Sequence, residues 1–168
     1  EEKSDYTVKY NNAAPVDYTY YYYKAANVRA SAATVNDAMN LTQTQTTFAP
    51  SANGAGVSDV NTKSITFFKN GVGEEQSDYT IKYAGTTAID TTTYFYGTSS
   101  ANSRATTGTS GTTGKAMYAT QTERYSGQVA TLGTLGANTK SITYFAGAAT
   151  EEKSDYTVKY NNAAPVDY

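Results

Sequence analysis

Residues 1–18 read EEKSDYTVKYNNAAPVDY, and the same eighteen residues return without a change at 151–168. A diverged copy, EEQSDYTIKYAGTTAID, begins at Glu74 and divides the 150-residue spacing into steps of 73 and 77. Inside each copy SDYTVKY alternates. Tyr6, Val8 and Tyr10 share one parity, while Asp5, Thr7 and Lys9 share the other. A period of two over such a run predicts a half-buried strand. The diverged copy keeps the pattern as Tyr79, Ile81 and Tyr83, and the last copy as Tyr156, Val158 and Tyr160. The chain therefore reads as a tandem array with a unit of about 75 residues, divided as 1–73, 74–150 and the start of a further unit at 151–168.

Outward from this block, Val16, Tyr18, Tyr20 and Tyr22 fall on one parity and Tyr21 and Tyr23 on the other, which predicts an aromatic strand covered on both faces or carrying an exposed tyrosine ladder. Its counterpart runs from Ile89 to Tyr96. Upstream of the acidic block, NTKSITFF (61–68) matches NTKSITYF (138–145), and over 61–83 against 138–160 fifteen of 23 positions are identical. These segments predict a third strand that leads into a Gly-containing turn at Asn70-Gly71 or Ala146-Gly147. Between the blocks only AM-x-x-TQT is shared, at Ala38, Met39, Thr42, Gln43 and Thr44 and again at Ala116, Met117, Thr120, Gln121 and Thr122. The threonine-rich stretches 42–47 and 119–122 predict strands, since branched side chains suit a pleated surface. Ala25 to Leu41 is the one stretch with helical character, read as a short helix or turn because β-branched residues and Asn36-Asp37 interrupt its alanines. The Gly/Ser/Thr tract 97–115 predicts a long loop. Together these give five to seven strands per unit, with turns at the spacing of a sandwich.

Composition narrows the function. Leu, Ile, Val and Phe make only 22 of the 168 residues, while 17 tyrosines supply apolar surface and the net charge is −2. The balance favours a tyrosine-lined fold over a disordered chain. Cys, His and Trp are absent, which removes zinc sites, thiolate nucleophiles and a Ser-His-Asp triad. No set of nucleophile, base and oxyanion donors can be assembled, so an enzyme is not expected. Near-neutral charge argues against nucleic acid as a partner. No apolar run reaches the roughly 18 residues of a membrane span, so membrane insertion of this segment is not expected.

The SDYTVKY block, reached from a Gly-containing turn and followed by a second aromatic strand, resembles the closing strands of small immunoglobulin-like repeats in large bacterial surface adhesins and extracellular fibres. The resemblance implies an all-β fold of tandem small β-sandwich units, an extracellular or cell-surface location, and a stalk or adhesive role. A β-solenoid is the alternative architecture, although its coil period is far shorter than the unit seen here. The expected function is a structural repeat segment of a fibre or stalk, joined end to end or through strand exchange into a filament. Its partners would be covalently adjacent repeats or further copies of itself. The alternative is a carbohydrate- or surface-binding module that presents exposed tyrosines to a cell-surface glycan.

The residues expected at contacts between units or chains are Tyr6, Val8 and Tyr10, the run Tyr20, Tyr21, Tyr22 and Tyr23, and Tyr156, Val158 and Tyr160. No cofactor is expected. Each acidic cluster (Glu1, Glu2, Asp5; Glu74, Glu75, Asp78; Glu151, Glu152, Asp155) offers three carboxylates where calcium takes six to eight oxygens. A solvated turn before a strand is the expected role, with calcium at the unit joints as the alternative.

Overall fold

The computed structural model describes residues 2–105, 112–125 and 127–167. The strands are β1 (Tyr6–Asn11), β2 (Ala14–Tyr23), β3 (Met39–Gln45), β4 (Thr62–Lys69), β5 (Gln76–Ala84), β6 (Thr87–Thr98), β7 (Ala101–Ser103), β8 (Met117–Arg124), β9 (Thr139–Ala146), β10 (Lys153–Asn161) and β11 (Ala164–Asp167). All pair antiparallel in one open sheet that follows chain order, with the short β7 folded back onto β6. The edges are β1 and β11. Unit one supplies β1 to β4, unit two β5 to β9, and the third copy of the repeat β10 and β11. The SDYTVKY segments are strands in all three copies, as their alternation requires, and the first hairpin turns through Asn12 and Ala13 at φ 47° and 63°. Two left-handed residues in succession match the right-handed twist of the flanking strands.

Several expectations are corrected. Among the described residues unit one has four strands and unit two five, the short β7 included, against the expected five to seven. Within 25–41 the expected short helix or turn is the 3₁₀ turn Ala30–Ala32 and not a longer helix, and Met39 to Leu41 belong to β3. Thr34 explains part of this: its N–H and hydroxyl both donate to Asp37 Oδ2, at 2.7 and 3.0 Å. Such a local side-chain bond offers the backbone an alternative to helix. Within 97–115, β7 breaks the expected loop, and 106–111 lie outside the described residues.

The all-β class holds, and among the described residues the strands pair into one open antiparallel sheet, whereas the expected sandwich is defined by two facing sheets. The reason lies in what is buried. One face carries Tyr20, Tyr22, Leu41, Ile65, Phe95 and Ile142, but also fully buried Gln43, Gln121, Thr91 and Thr93. Buried polar groups require hydrogen-bond partners, which a dry second sheet does not supply. Loop backbone supplies them. The loop between β3 and β4 donates Gly56 N–H to Gln43 Oε1 and accepts Gln43 Nε2 at Val57 O, each at 3.0 Å. Gln121 repeats the device with Gly133 N–H and Thr134 O, each at 2.9 Å. The opposite face carries a threonine array, joined side chain to side chain across strands by Thr19–Thr44, Thr66–Thr80, Thr92–Thr122 and Thr143–Thr157. Among the described residues no helix is long and apolar enough to cross a membrane.

Candidate functional site: the junction between units

The sheet passes from one unit to the next without interruption, because β4 of unit one pairs with β5 of unit two. In register, Ile65 faces Ile81, Thr66 faces Thr80 and Phe67 faces Tyr79. The same residues 77 positions later make the second junction, where Ile142 faces Val158, Thr143 faces Thr157 and Tyr144 faces Tyr156. Both junctions carry a stacked ring pair on one face: Phe67–Tyr79 at 4.5 Å and 18°, and Tyr144–Tyr156 at 4.7 Å and 21°. Both carry a threonine pair on the other face, with Oγ1 atoms 2.8 and 2.9 Å apart. Cross-strand aromatic and threonine pairs are the units of sheet stabilisation, each contributing about 0.2–1 kcal/mol.

The acidic block serves the same junctions. Glu75 Oε1 accepts the Met39 N–H at 3.2 Å, and Glu152 Oε1 accepts the Met117 N–H at 2.8 Å. Each glutamate thus opens a unit while satisfying the first amide of the third main strand of the unit before it. Among the described residues no three acidic groups stand close enough together to hold a metal ion.

Aspartate in the SDY element makes a second repeated contact, within its own unit. Asp78 accepts two hydrogen bonds from Arg104 at 2.8 Å, and Asp5 two from Arg29 at 2.7 and 2.6 Å. Arg29 also lies over the ring of Tyr20, 4.7 Å from its centroid, and Arg104 lies 5.7 Å from that of Tyr79. The third copy, Asp155, is exposed and meets no arginine among the described residues.

The sequence-derived contact residues separate into groups. Tyr156 and Val158 stand at the second junction, and Tyr79 and Ile81, their equivalents, at the first. Tyr160 belongs to the same strand, half-buried beyond a bulge. Tyr6 and Val8 occupy the same places on β1, which has no neighbour on its outer side; Tyr6 is 43% exposed and Tyr10 62%. Tyr20, Tyr22 and Tyr23 are buried inside unit one rather than presented outward. Burial pushes their phenols above the usual range, and Tyr23 donates its hydroxyl to Ser4 O at 2.7 Å. Tyr21 lies on the threonine face, half-buried, its hydroxyl 3.5 Å from Thr7. Sequence reasoning did not single out Glu75, Glu152, Arg29 or Arg104 for these contacts. The signal available was the recurrence of an arginine 24 residues after Asp5 and 26 residues after Asp78.

A cleft of about 530 Å³ lies between the two acidic turns, lined among others by Phe68, Glu75, Tyr94, Tyr96, Lys115 and Glu152. Burial pushes the Tyr96 phenol well above its ordinary range, and its hydroxyl donates to Ser77 O at 2.9 Å. No known family model, curated protein or solved structure matches the chain.

Proposed function

We propose that this chain is a structural repeat segment of an extracellular fibre or stalk, in which a single antiparallel sheet lengthens unit by unit. The observation that carries the reading is the junction itself: two successive unit boundaries use the same register, the same ring stack, the same threonine pair and the same glutamate-to-amide bond. A contact that repeats in the same register at each boundary, with only Phe-to-Tyr and Ile-to-Val exchanges, propagates one geometry, as repeat proteins do. The twist of successive strands then turns the array into a coiled ribbon. The alternative of glycan binding through Tyr20 to Tyr23 has less support, since three of those four rings are buried within unit one.

Strands add at 4.7–4.9 Å, so each four-strand unit extends such a ribbon by about 19 Å. Small-angle X-ray scattering on the 168-residue chain and on a longer chain carrying the period 1–150 twice tests this. The expected result is an increase in the longest dimension of roughly 40 Å, two units' worth. An unchanged longest dimension removes the ribbon.

A further inference from the structure

We infer that Tyr144 and Tyr156 are an oxidative crosslinking site, at which a one-electron oxidant joins the two rings as dityrosine and bonds β9 to β10 across the second junction. The inference needs only the pairing of those two strands and goes beyond the ribbon reading above.

Composition directs the oxidation. Trp, Cys and His are absent and only two methionines compete, whereas 17 residues are tyrosine. In a chain without indoles or thiols the phenol is the side chain that most readily gives up one electron. Geometry then selects the pair. Tyr144 and Tyr156 face each other in register, with ring centroids 4.7 Å apart and planes 21° from parallel. Tyr118 meets Tyr144 edge-on at 5.7 Å and 70°, and Tyr6 lies 6.1 Å from Tyr20 at 41°. The ladder between β9 and β10 holds the two backbones, so the rings are brought together before they react. Coupling is then intramolecular, and such positioning replaces a bimolecular encounter by a local one.

Each phenol loses one electron to the oxidant and one proton to solvent, which leaves two phenoxyl radicals. A carbon–carbon bond forms between one ortho carbon (Cε) of each ring. The C–H bond at each of those carbons then breaks, its proton passes to the ring oxygen through solvent, and both phenols are restored. The chain loses two hydrogens, and the oxidant gains two electrons.

The first junction is the natural comparison. There the same register and the same stack hold Phe67 against Tyr79, at 4.5 Å and 18°, and phenylalanine has no phenol to oxidise. The hydroxyl, not the stack, is what distinguishes the two junctions. The first junction also shows that the stack persists where further strands follow, since β5 is continued by β6, β8 and β9. Asn40 stands in unit one where Tyr118 stands in unit two, so the cluster of phenols belongs to the second boundary. A link there spans the turn between β9 and β10 and keeps those strands together when the chain is pulled.

The test is photo-oxidation of the dilute 168-residue chain with ruthenium tris-bipyridine and persulfate, which takes up the electrons and becomes sulfate. Expected are dityrosine fluorescence, an intact mass lower by two hydrogens, and a crosslinked peptide joining Tyr144 to Tyr156. Tyr144→Phe reproduces the ring pair of the first junction and so keeps the stack; it is expected to lose that peptide and most of the fluorescence of the monomer. Phe67→Tyr is expected to add a second link, to Tyr79, and to double the yield of dityrosine within the chain. Links found only between chains, through exposed rings such as Tyr10 and Tyr125, overturn the site, as does the absence of any dityrosine. A Tyr144→Phe variant as fluorescent as the parent overturns it too, and so does a Phe67→Tyr variant that gains no link, because the stacked register would then not direct coupling. None of these outcomes bears on the growth in length measured by scattering.

Discussion

The Asp–Arg pairs divide by burial, and burial decides what each is worth. The Asp78 side chain is 5% exposed and that of Arg104 15%, whereas Asp5 is 45% exposed. Removing one partner of a buried pair leaves an uncompensated charge and costs about 3–5 kcal/mol, while a solvent-exposed pair contributes about 0–1 kcal/mol. Arg104→Ala is therefore expected to lower stability by several kcal/mol and Arg29→Ala by about 1 kcal/mol or less, measured by urea denaturation. Equal losses would show that burial of the aspartate does not set the cost. Substitutions between the two units also compensate for one another. In unit one, Asp59 accepts from Thr62 Oγ1 at 3.0 Å and Gln45 Nε2 donates to the same oxygen at 3.1 Å. In unit two Gly136 stands where Asp59 would be, and the carboxylate has moved to Glu123, which accepts from Thr139 Oγ1 at 3.2 Å. A buried threonine hydroxyl keeps a carboxylate partner in both units, although no single column of the repeat preserves one. Alternation cannot reveal a partnership of that kind, because it is satisfied by different residues on different elements.

Strands were legible wherever one face had to be apolar, which is why every SDYTVKY and NTKSIT segment was found. Loops were less so, because their role is to hydrogen-bond a polar sheet face rather than to connect strands by the shortest path. The AM-x-x-TQT motif is the clearest case. Its repetition predicted a strand, which β3 and β8 are, but did not disclose that the central glutamine clasps the loop that follows. Both glutamines are fully buried. Leucine at either position would remove both bonds of the clasp, each contributing about 0.5–1.5 kcal/mol, although Val57 O keeps the Ser51 hydroxyl at 2.7 Å. Gln43→Leu and Gln121→Leu are accordingly expected to destabilise the chain by about 1–3 kcal/mol. Amide hydrogen exchange localises the effect: protection of Gly56 should fall in the first variant and of Gly133 in the second, with strand amides of the other unit unchanged. If protection is lost uniformly, the loops are not independent of the sheet, and the clasp is not what holds them.

On the scale of the whole molecule the array was written plainly in the sequence, but the continuity of the sheet was not, since a backbone hydrogen bond between units leaves no mark on side-chain identity. The scarcity of aliphatic residues was the available hint, because two sheets packed face to face need two apolar inner surfaces and only 22 of the 168 residues are Leu, Ile, Val or Phe. Tyrosine carries much of the burial instead, and that has a consequence at alkaline pH. Burial raises the phenol pKa of Tyr20, Tyr22, Tyr23, Tyr79, Tyr83, Tyr96 and Tyr144, in both units and at the junctions. A group whose folded pKa lies above its unfolded value contributes stability that is complete below the unfolded pKa, about 10 for tyrosine, and is lost as pH rises through the folded pKa. With seven such groups the sheet should unfold cooperatively above about pH 10, and part of the phenolate absorbance at 295 nm should appear only together with loss of the far-ultraviolet circular dichroism. Phe95 occupies in unit two the place of Tyr22 in unit one, so Tyr22→Phe removes one titrating group without creating a cavity. Its stability at pH 7 should stay within about 1.5 kcal/mol of the parent, as volume-conserving exchanges do. Its alkaline midpoint should move upward. Full ionisation of all 17 tyrosines with the dichroism intact would mean that the rings are reached by hydroxide without unfolding, and that tyrosine burial does not hold the sheet together.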